Sequence, residues 1–157
     1  MVSVITDSDF KSFGTDASKW TLFTHEGIEV HPRLSDSVLF LNISKARGAN
    51  WHAELRYSPF AVRKGDSFRI SFSARARYPF SFSVWLGQQD APYKSLVSRD
   101  NHFGEKMMTG EWQTFTHIWH PHLTEEAARL NFVFGQIDNV VELKGVSLTR
   151  ESPLESA

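Results

Sequence analysis

The sequence predicts an all-β protein in which two antiparallel sheets pack face to face as a β-sandwich. Short runs of alternating apolar and polar residues recur along the chain at the spacing of strands in a sandwich. The chain is rich in aromatic residues, with 13 Phe, 5 Trp and 3 Tyr, and these side chains suit a pleated, half-buried surface. Helix signals are almost absent, which favours strands over most of the chain.

The alternating runs give the predicted strands in chain order. They are WTLFT (20–24), GIEVH (27–31), SVLFLNI (37–43), WHAELRY (51–57), DSFRISFSARA (66–76), FSFSVWLG (80–87), EWQTFTHIW (111–119), RLNFVFG (129–135) and VELKGVSL (141–148). Turn-forming segments such as RKGD, RYP, DAP and TGE separate them. Only LTEEAARL (123–130) has a helical pattern, with Thr124 as a candidate N-cap, and its length predicts one turn at most. A chain of 157 residues suits one domain, with the sandwich at 1–150 and a polar tail at 151–157.

Alternation within the runs separates core positions from outward positions. The apolar sets predicted to meet between the sheets are Phe68, Ile70, Phe72 and Ala74, then Phe80, Phe82, Val84 and Leu86, then Leu130, Phe132 and Phe134. The intervening positions carry small residues, arginines and a lone Trp85. Small residues make room and long ones form walls, which is the composition of a groove across a sheet. Trp20 and Trp112 are expected to pack in the core.

Composition excludes several function classes. The net charge is −1 with mixed signs, which argues against nucleic acid as a partner. No apolar run approaches the length of a membrane span, and the absence of cysteine excludes disulfides. The first residues, MVSVITDSDF, lack the basic and apolar regions of a signal peptide. Localisation therefore stays open.

The segment NWHAELRYS (50–58) carries the clearest polar signal. Ala53, Leu55 and Tyr57 share one face of the predicted strand. His52, Glu54 and Arg56 share the other. An imidazole, a carboxylate and a guanidinium in a row are unusual on the outer face of a strand, so this face is a candidate site.

The order of motifs resembles the carbohydrate-binding modules of families 4, 9 and 22. The motifs are SDFKSF…W (8–20), ANWHAELRYSPFAVRKGDSFRISFSARA (49–76), SFSVWLG (81–87), EWQTFTHIW (111–119) and ARLNFVFGQ…VVELKGVSL (128–148). The resemblance spans nearly the whole chain. It implies a β-jelly-roll domain that binds a glycan in a groove on its concave sheet. The partners it implies are a polysaccharide or oligosaccharide, and a glycoside hydrolase or cell-surface protein in the same chain or complex.

The resemblance also implies roles for individual residues. Trp51 matches a Trp that stacks on sugar, and Glu54 matches a polar residue that hydrogen-bonds sugar hydroxyls. Tyr93 lies near a loop aromatic that forms the far wall. Asn131 and Val133 fall where a groove-facing polar residue is found, and because Val133 departs from that pattern, the hydrogen bond is expected at Asn131.

The chemistry of sugars agrees with these assignments. The apolar C–H face of a pyranose packs on an aromatic ring, while its hydroxyls seek carboxylate, amide and guanidinium partners. The platforms predicted on this basis are Trp51, Trp85 and Tyr93. The predicted hydrogen-bonding partners are Glu54, Arg56, Arg75, Gln88 and Asn131.

Other interpretations of these residues remain open. Trp51 shares parity with Ala53 and Leu55, so it fits the edge of the core as well as a sugar platform. Glu54 and Arg56 also fit a solvated ion pair, which contributes little to stability. A second hypothesis for the whole chain is an adaptor that binds a protein or glycoprotein on the same sandwich.

A third hypothesis is a metal-dependent enzyme. HIWHPH (117–122) places His117, His120 and His122 close together, although a zinc site needs further ligands and a second shell. Glycosidases of this architecture set paired carboxylates along a strand, and no run here carries such a pair. No catalytic residue and no metal ligand is therefore predicted, and no cofactor is expected.

The resemblance yields a prediction about calcium. Many of these modules hold a structural calcium through a Glu after the early Phe and an Asp before the last strand. Here those positions match Lys11 and Lys144. A lysine removes an oxygen ligand and adds a charge that repels the cation.

We therefore expect no bound calcium, and a thermal midpoint that chelator does not lower. Elemental analysis of the purified protein and melts with and without chelator measure this. Stoichiometric calcium, or a midpoint that falls on chelation, would contradict the assignment of one or both lysines.

Overall fold

Eleven strands build almost all of the secondary structure. The computed structural model describes residues 2–25, 27–46, 52–134 and 137–151. The strands are β1 (Val2–Ser3), β2 (Trp20–Thr24), β3 (Glu29–Ser35), β4 (Val38–Ser44), β5 (Ala53–Val62), β6 (Ser67–Ala76), β7 (Phe80–Gln88), β8 (Lys106–Met108), β9 (Gln113–Trp119), β10 (Glu125–Val133) and β11 (Asn139–Glu151). A 3₁₀ turn lies at Arg99–Asn101.

The strands form two antiparallel sheets. The front sheet has the order β2-β5-β10-β7-β8, and the back sheet has the order β3-β4-β11-β6-β9 with β1 paired to β11. Successive long strands change sheet, since β5 lies in front, β6 at the back and β7 in front again. The predicted all-β, two-sheet antiparallel sandwich is confirmed.

Apolar residues from both sheets interlock between them. Every member of the predicted core sets is at most 7% exposed. Phe72 of the back sheet packs edge-on against Phe132 of the front sheet at 5.0 Å between ring centroids. Phe82 of the front sheet packs in the same way against Phe115 of the back sheet at 5.0 Å. Such pairs contribute packing energy beyond the burial of their area and tie the two sheets together.

The N-terminal segment closes one end of the core. Trp20 is 3% exposed, and its ring contacts those of Phe10 and Tyr57, each at 4.8 Å. Its Nε1 donates a hydrogen bond to the Asp7 carbonyl oxygen at 3.0 Å, which satisfies the one polar atom of the buried ring. The expectation that Trp20 packs in the core is confirmed.

The predicted helical turn at 123–130 is wrong. Residues from Glu125 onward form β10, which lies between β5 and β7 in the front sheet. A central strand gains hydrogen bonds and burial on both sides, and this outweighs the helix propensity of the alanines. Register shifts near Ala128 in the pairing with β5 explain why the alternation is irregular there. The short strands β1 and β8 had no alternation long enough to predict.

The described ranges contain no helix long and apolar enough to cross a membrane. The division into a sandwich at 1–150 and a tail at 151–157 stays a prediction, because residues 152–157 are outside the described part. Glu151 itself belongs to β11.

Candidate functional site

A cleft of about 660 Å³ lies on the outer face of the front sheet. Its walls combine aromatic rings with charged and amide side chains. The lining residues are Phe23, Glu54, Arg56, Ser83, Trp85, Tyr93, Arg129, Asn131 and Val133.

Strand register places the cleft residues in rows across the sheet. One row contains Thr21, Arg56, Asn131 and Trp85. The adjacent row contains Phe23, Glu54, Val133 and Ser83. Because side chains within a row are direct neighbours on one face, residues that are far apart in sequence meet here.

A buried carboxylate organises the floor of the cleft. Glu54 is 5% exposed and Asn131 is 3% exposed, so both are as buried as core residues. Arg56 Nη2 donates a hydrogen bond to Glu54 Oε1 at 2.7 Å, and Asn131 Nδ2 donates one to Glu54 Oε2 at 2.7 Å. The interpretation of Glu54 and Arg56 as a solvated ion pair is therefore wrong, because the carboxylate is removed from water.

Phe23 supports the Arg56 guanidinium from below. The guanidinium carbon lies 3.9 Å from the centroid of the Phe23 ring, within the range of a cation–π contact. The ring and the Glu54 carboxylate together hold the planar group in one orientation. Phe23 is thus a structural part of the cleft that the sequence analysis missed. The sequence pattern could have indicated this, because Phe23 lies on the same side of the strand as Thr21 and on the opposite side from Leu22.

Trp85 lies flat over the backbone of Gly87. A Cβ added to Gly87 would fall 2.0 Å from the ring atoms Cη2 and Cζ2 of Trp85. The Trp85 ring can occupy this position only because Gly87 has no side chain. A flat indole on the outer face of a sheet is the shape of a stacking platform.

The loop after β7 supplies the opposite wall. Tyr93 is 57% exposed and has a φ of 57°, a conformation that an aromatic residue seldom adopts and that is found at functional sites. Gln88 holds this loop, since its Oε1 accepts a hydrogen bond from the Lys94 backbone N–H at 2.9 Å. Gln88 thus fixes the segment that carries Tyr93.

Arg129 lies between the two platforms. Its guanidinium carbon is 5.7 Å from the ring centroids of both Trp85 and Tyr93, and the residue is only 9% exposed. Burial lowers the pKa of Arg129, and the positive charge of Arg56 lowers it further, while Glu54 offsets part of the effect. The group stays protonated, as arginines do, but its charged form is disfavoured here.

Polar atoms of the cleft are left without partners. Within the described part of the chain, the buried side-chain atoms that lack a hydrogen bond are Arg56 Nε, Arg129 Nε and Asn131 Oδ1. All of them belong to residues that line the cleft. Buried polar groups in proteins are normally satisfied, so these two donors and one acceptor mark a region where hydrogen bonding within the described protein is incomplete.

The structure brings together five of the predicted site residues. They are Glu54, Arg56, Trp85, Tyr93 and Asn131. Trp51 lies outside the described residues. Arg129 and Ser83 line the cleft but were not among the predicted site residues, although Arg129 shares the parity of Asn131.

Two predicted site residues lie elsewhere. Gln88 is at the end of β7 and does not line the cleft. Arg75 belongs to β6 of the back sheet, where it forms two hydrogen bonds to the Glu142 carboxylate at 2.9 and 3.1 Å. The expectation that Arg75 shares the groove is wrong, because alternation separates the faces of a strand without showing which sheet the strand joins.

Trp112 does not pack in the core as expected. It lies on the outer face of the back sheet, 4.6 Å from the Arg75 guanidinium carbon and 4.1 Å from Lys144 Nζ. Trp112 precedes the first residue of β9, and it shares the outward parity of Thr114.

The histidines proposed as metal ligands have separate partners. His117 Nε2 contacts the Asn101 carbonyl oxygen, His120 Nδ1 contacts the Ser67 hydroxyl, and His122 Nδ1 contacts the Leu96 carbonyl oxygen. Among the residues that the structure describes, no group of three or more His, Cys, Asp or Glu side chains is arranged to hold a metal ion.

The sandwich is similar to solved structures of carbohydrate-binding modules. It superposes on a family 4 module with a TM-score of 0.81 and 20% identity, over 94% of this chain and 99% of that chain. For the second N-terminal cellulose-binding domain of β-1,4-glucanase C from Cellulomonas fimi, the TM-score is 0.71 and the identity 24%, over 96% and 95% of the two chains. For the CBM22-1 xylan-binding domain of Xyn10C from Paenibacillus barcinonensis, the values are 0.56 and 11%, over 85% and 86%. At these identities the likeness concerns the fold.

Sequence comparison identifies the family. No curated protein matches the chain, but a family model described as "Carbohydrate binding domain" matches residues 2–139. That range includes every residue of the cleft. The chain therefore belongs to the family of carbohydrate-binding domains of the 4/9 type.

Proposed function

We propose that the protein is a non-catalytic module that holds a glycan chain, such as a β-glucan, a xylan or a related polysaccharide, in the front-sheet cleft. The observation that carries the proposal is the combination of two aromatic platforms with guanidinium and amide side chains in one cleft. Trp85 and Tyr93 offer faces for the C–H side of sugar rings. Arg56, Arg129 and Asn131 line the same cleft, and guanidinium and amide groups are suitable hydrogen-bonding partners for sugar hydroxyls.

The number of carboxylates among the described cleft residues argues against catalysis. Glycoside hydrolysis ordinarily uses a pair of carboxyl groups on either side of the scissile bond. Among the described residues that line the cleft, Glu54 is the only acidic one. Both of its oxygens already accept hydrogen bonds from the protein, so it is held as a structural acceptor.

Family membership and the structural neighbours support a polysaccharide as the ligand. The neighbours include a cellulose-binding domain and a xylan-binding domain, the former from a glucanase. We propose accordingly that this module serves a glycoside hydrolase or a cell-surface protein in the same chain or complex. Because an open cleft desolvates little of its ligand, affinity should be modest, on the order of 10 μM to 1 mM for an oligosaccharide.

A glycan array, followed by affinity gel electrophoresis on soluble glucans and xylans, tests the proposal. Retention of the protein by at least one polysaccharide is expected. Failure to bind any glycan, with capture of a non-glycosylated peptide or protein instead, would favour the adaptor hypothesis and overturn the proposal.

Trp85→Ala should abolish retention on the polysaccharide while leaving the fold intact. The substitution removes the platform, and the outward position of the ring means that little core packing is lost. Affinity gel electrophoresis measures retention, with near-UV circular dichroism as the fold control. Trp112→Ala is the matched control, because it removes an indole from the outer face of the opposite sheet. Equal retention of both variants would contradict the assignment.

Gly87→Ala should weaken retention without any loss of a cleft side chain. The added methyl group occupies the space of the Trp85 ring, and the ring must swing away because the strand backbone is fixed by its pairing on both sides. Tryptophan fluorescence reports the displacement. Gly110→Ala is the control, since its Cβ would meet no atom closer than the Ala76 carbonyl oxygen at 3.8 Å. Full retention of Gly87→Ala would mean that the position of the ring is irrelevant to binding.

Glu54→Ala should weaken glycan binding by about 1–3 kcal/mol, the cost of leaving buried polar partners unsatisfied. Arg56 and Asn131 lose the acceptor that holds them in position for the ligand. Calorimetry measures the affinity. Glu142→Ala removes the equivalent carboxylate beside Arg75 on the back sheet and should leave affinity unchanged. An unchanged affinity in Glu54→Ala would show that the network plays no part in binding.

A further inference from the structure

We propose that the cleft selects glycans that carry carboxylate groups, such as uronic acid units, and that Arg129 binds the carboxylate. This inference rests on the proposed function, because it names the class of glycan for the same cleft. It goes beyond a neutral β-glucan or xylan ligand and predicts that charge decides selectivity.

The charges of the cleft do not balance. Among the described residues, its lining contains the cations Arg56 and Arg129 and one anion, Glu54. The Glu54 carboxylate is already bound by Arg56 on one oxygen and by Asn131 on the other. Within the described residues no carboxylate therefore forms an ion pair with Arg129, although Glu54 and Asp90 favour its charged form from a greater distance.

Other arginines that are comparably placed have carboxylate partners. Arg56 pairs with Glu54 at 2.7 Å, Arg75 with Glu142 at 2.9 Å, and Arg150 reaches Asp66 at 4.0 Å. Arg129 is the more deeply buried, at 9% exposed, but within the described residues it has no carboxylate oxygen inside 4 Å. Among the described residues, the guanidinium donates a hydrogen bond from Nη1 to the Gln89 carbonyl oxygen at 3.5 Å, while Nε donates none.

A buried cation without an anion is costly. Charged groups in protein interiors are ordinarily paired, because removal from water disfavours the charged form. Burial indeed lowers the pKa of Arg129, and Arg56 adds to the effect. The rings of Trp85 and Tyr93 compensate only in part through cation–π contacts. A bound anion would offset the rest of the free-energy cost of burying this charge, so the cleft favours an anionic ligand.

The shape of the guanidinium favours a carboxylate. The planar fork of an arginine pairs with a carboxylate through two parallel hydrogen bonds. The guanidinium is equidistant from both platforms. In the proposed complex, a sugar stacked on either ring directs its exocyclic group towards Arg129. In a uronic acid this group is a carboxylate, whereas in a neutral hexose it is a hydroxymethyl group.

Ligand pairs with the same backbone and different charge test the proposal. Suitable pairs are β-1,4-glucuronan with cello-oligosaccharides, polygalacturonate with its carboxyl-reduced form, and glucuronoxylan with xylan freed of its acidic side chains. Calorimetry at low and high salt measures the ratio of affinities within each pair. In at least one pair the acidic member should bind roughly tenfold more tightly, as expected for a charge-assisted contact, and salt should reduce this ratio.

Variants test whether Arg129 is responsible for the ratio of affinities between acidic and neutral ligands. In Arg129→Gln the ratio should fall towards one, while Arg129→Lys, which keeps the charge and loses the fork, should give an intermediate value. Arg69→Gln is the matched control, because it makes the same change in net charge at an exposed position of the back sheet and should leave the ratio unaltered.

Thermal melts supply a readout that a purely structural arginine would not give. Arg129→Gln should raise the midpoint of the ligand-free protein, because an unpaired buried charge is removed. The acidic oligosaccharide should raise the midpoint of the wild type more than that of the variant. A lowered midpoint in Arg129→Gln would overturn the view that the charge is uncompensated.

The outcomes separate this inference from the proposed function. Trp85-dependent binding of neutral members, with no advantage for acidic ones, would overturn the inference and leave the proposed function standing. Binding of sulfated glycans with none of uronate polymers would overturn the choice of carboxylate. An acidic advantage that survives in Arg129→Gln would overturn the role of Arg129, and loss of all glycan binding in the folded wild type would overturn both proposals.

Discussion

The edge-on contact of Phe72 with Phe132 helps to determine which residues of their strands face the core and which face outward, and the cleft depends on this choice. Phe72 belongs to the back sheet and Phe132 to the front sheet, and their centroids are 5.0 Å apart. Since successive residues of a strand face opposite sides, burial of Phe132 directs Asn131 outward towards Glu54. A slip of one residue in β10 would exchange the core and the cleft. The same aromatic packing that stabilises the sandwich therefore determines which polar groups meet on its outer face.

The cleft is ordered before any ligand arrives. Glu54 fixes Arg56 and Asn131, Phe23 supports Arg56, and Gly87 leaves room for the flat Trp85 ring. Side chains that are already immobile lose little conformational entropy on binding, which is one source of affinity in an open site. This arrangement lowers the stability of the free protein, because buried donors and an acceptor stay without hydrogen bonds. This division is typical of functional sites, which sacrifice stability for a prepared geometry.

Much of this arrangement could be predicted from the sequence because alternation is a local property. The period of two identified the core residues of β6 and β7 and the outward parity of Trp85, Glu54 and Asn131. Sheet membership is not local, and for that reason Arg75 was placed with residues of the other sheet. Strand pairing on both sides overrides propensity, which explains the missed start of β10 at Glu125. Phe23 and Arg129 acquire their roles only through the register of β2 with β5 and of β10 with β7, which no single run of sequence encodes.

The two outer faces of the sandwich use the same residue types with different results. On the back sheet Trp112 contacts Arg75, and Glu142 binds that arginine through both of its oxygens. On the front sheet Trp85 contacts Arg129, but the nearby carboxylate of Glu54 is engaged by Arg56 and Asn131. The side chain of Arg75 is 38% exposed and pairs with an anion, whereas Arg129 is buried and forms no ion pair with any described residue. The same three residue types, a tryptophan, an arginine and a glutamate, thus form an ion-paired surface on the back sheet. On the front sheet the arginine beside the tryptophan has no ion pair with a described residue. The composition of a face is therefore a weak guide to binding, and the pairing of its charges is a stronger one, because an unpaired buried group gains free energy from a ligand that a paired group does not need.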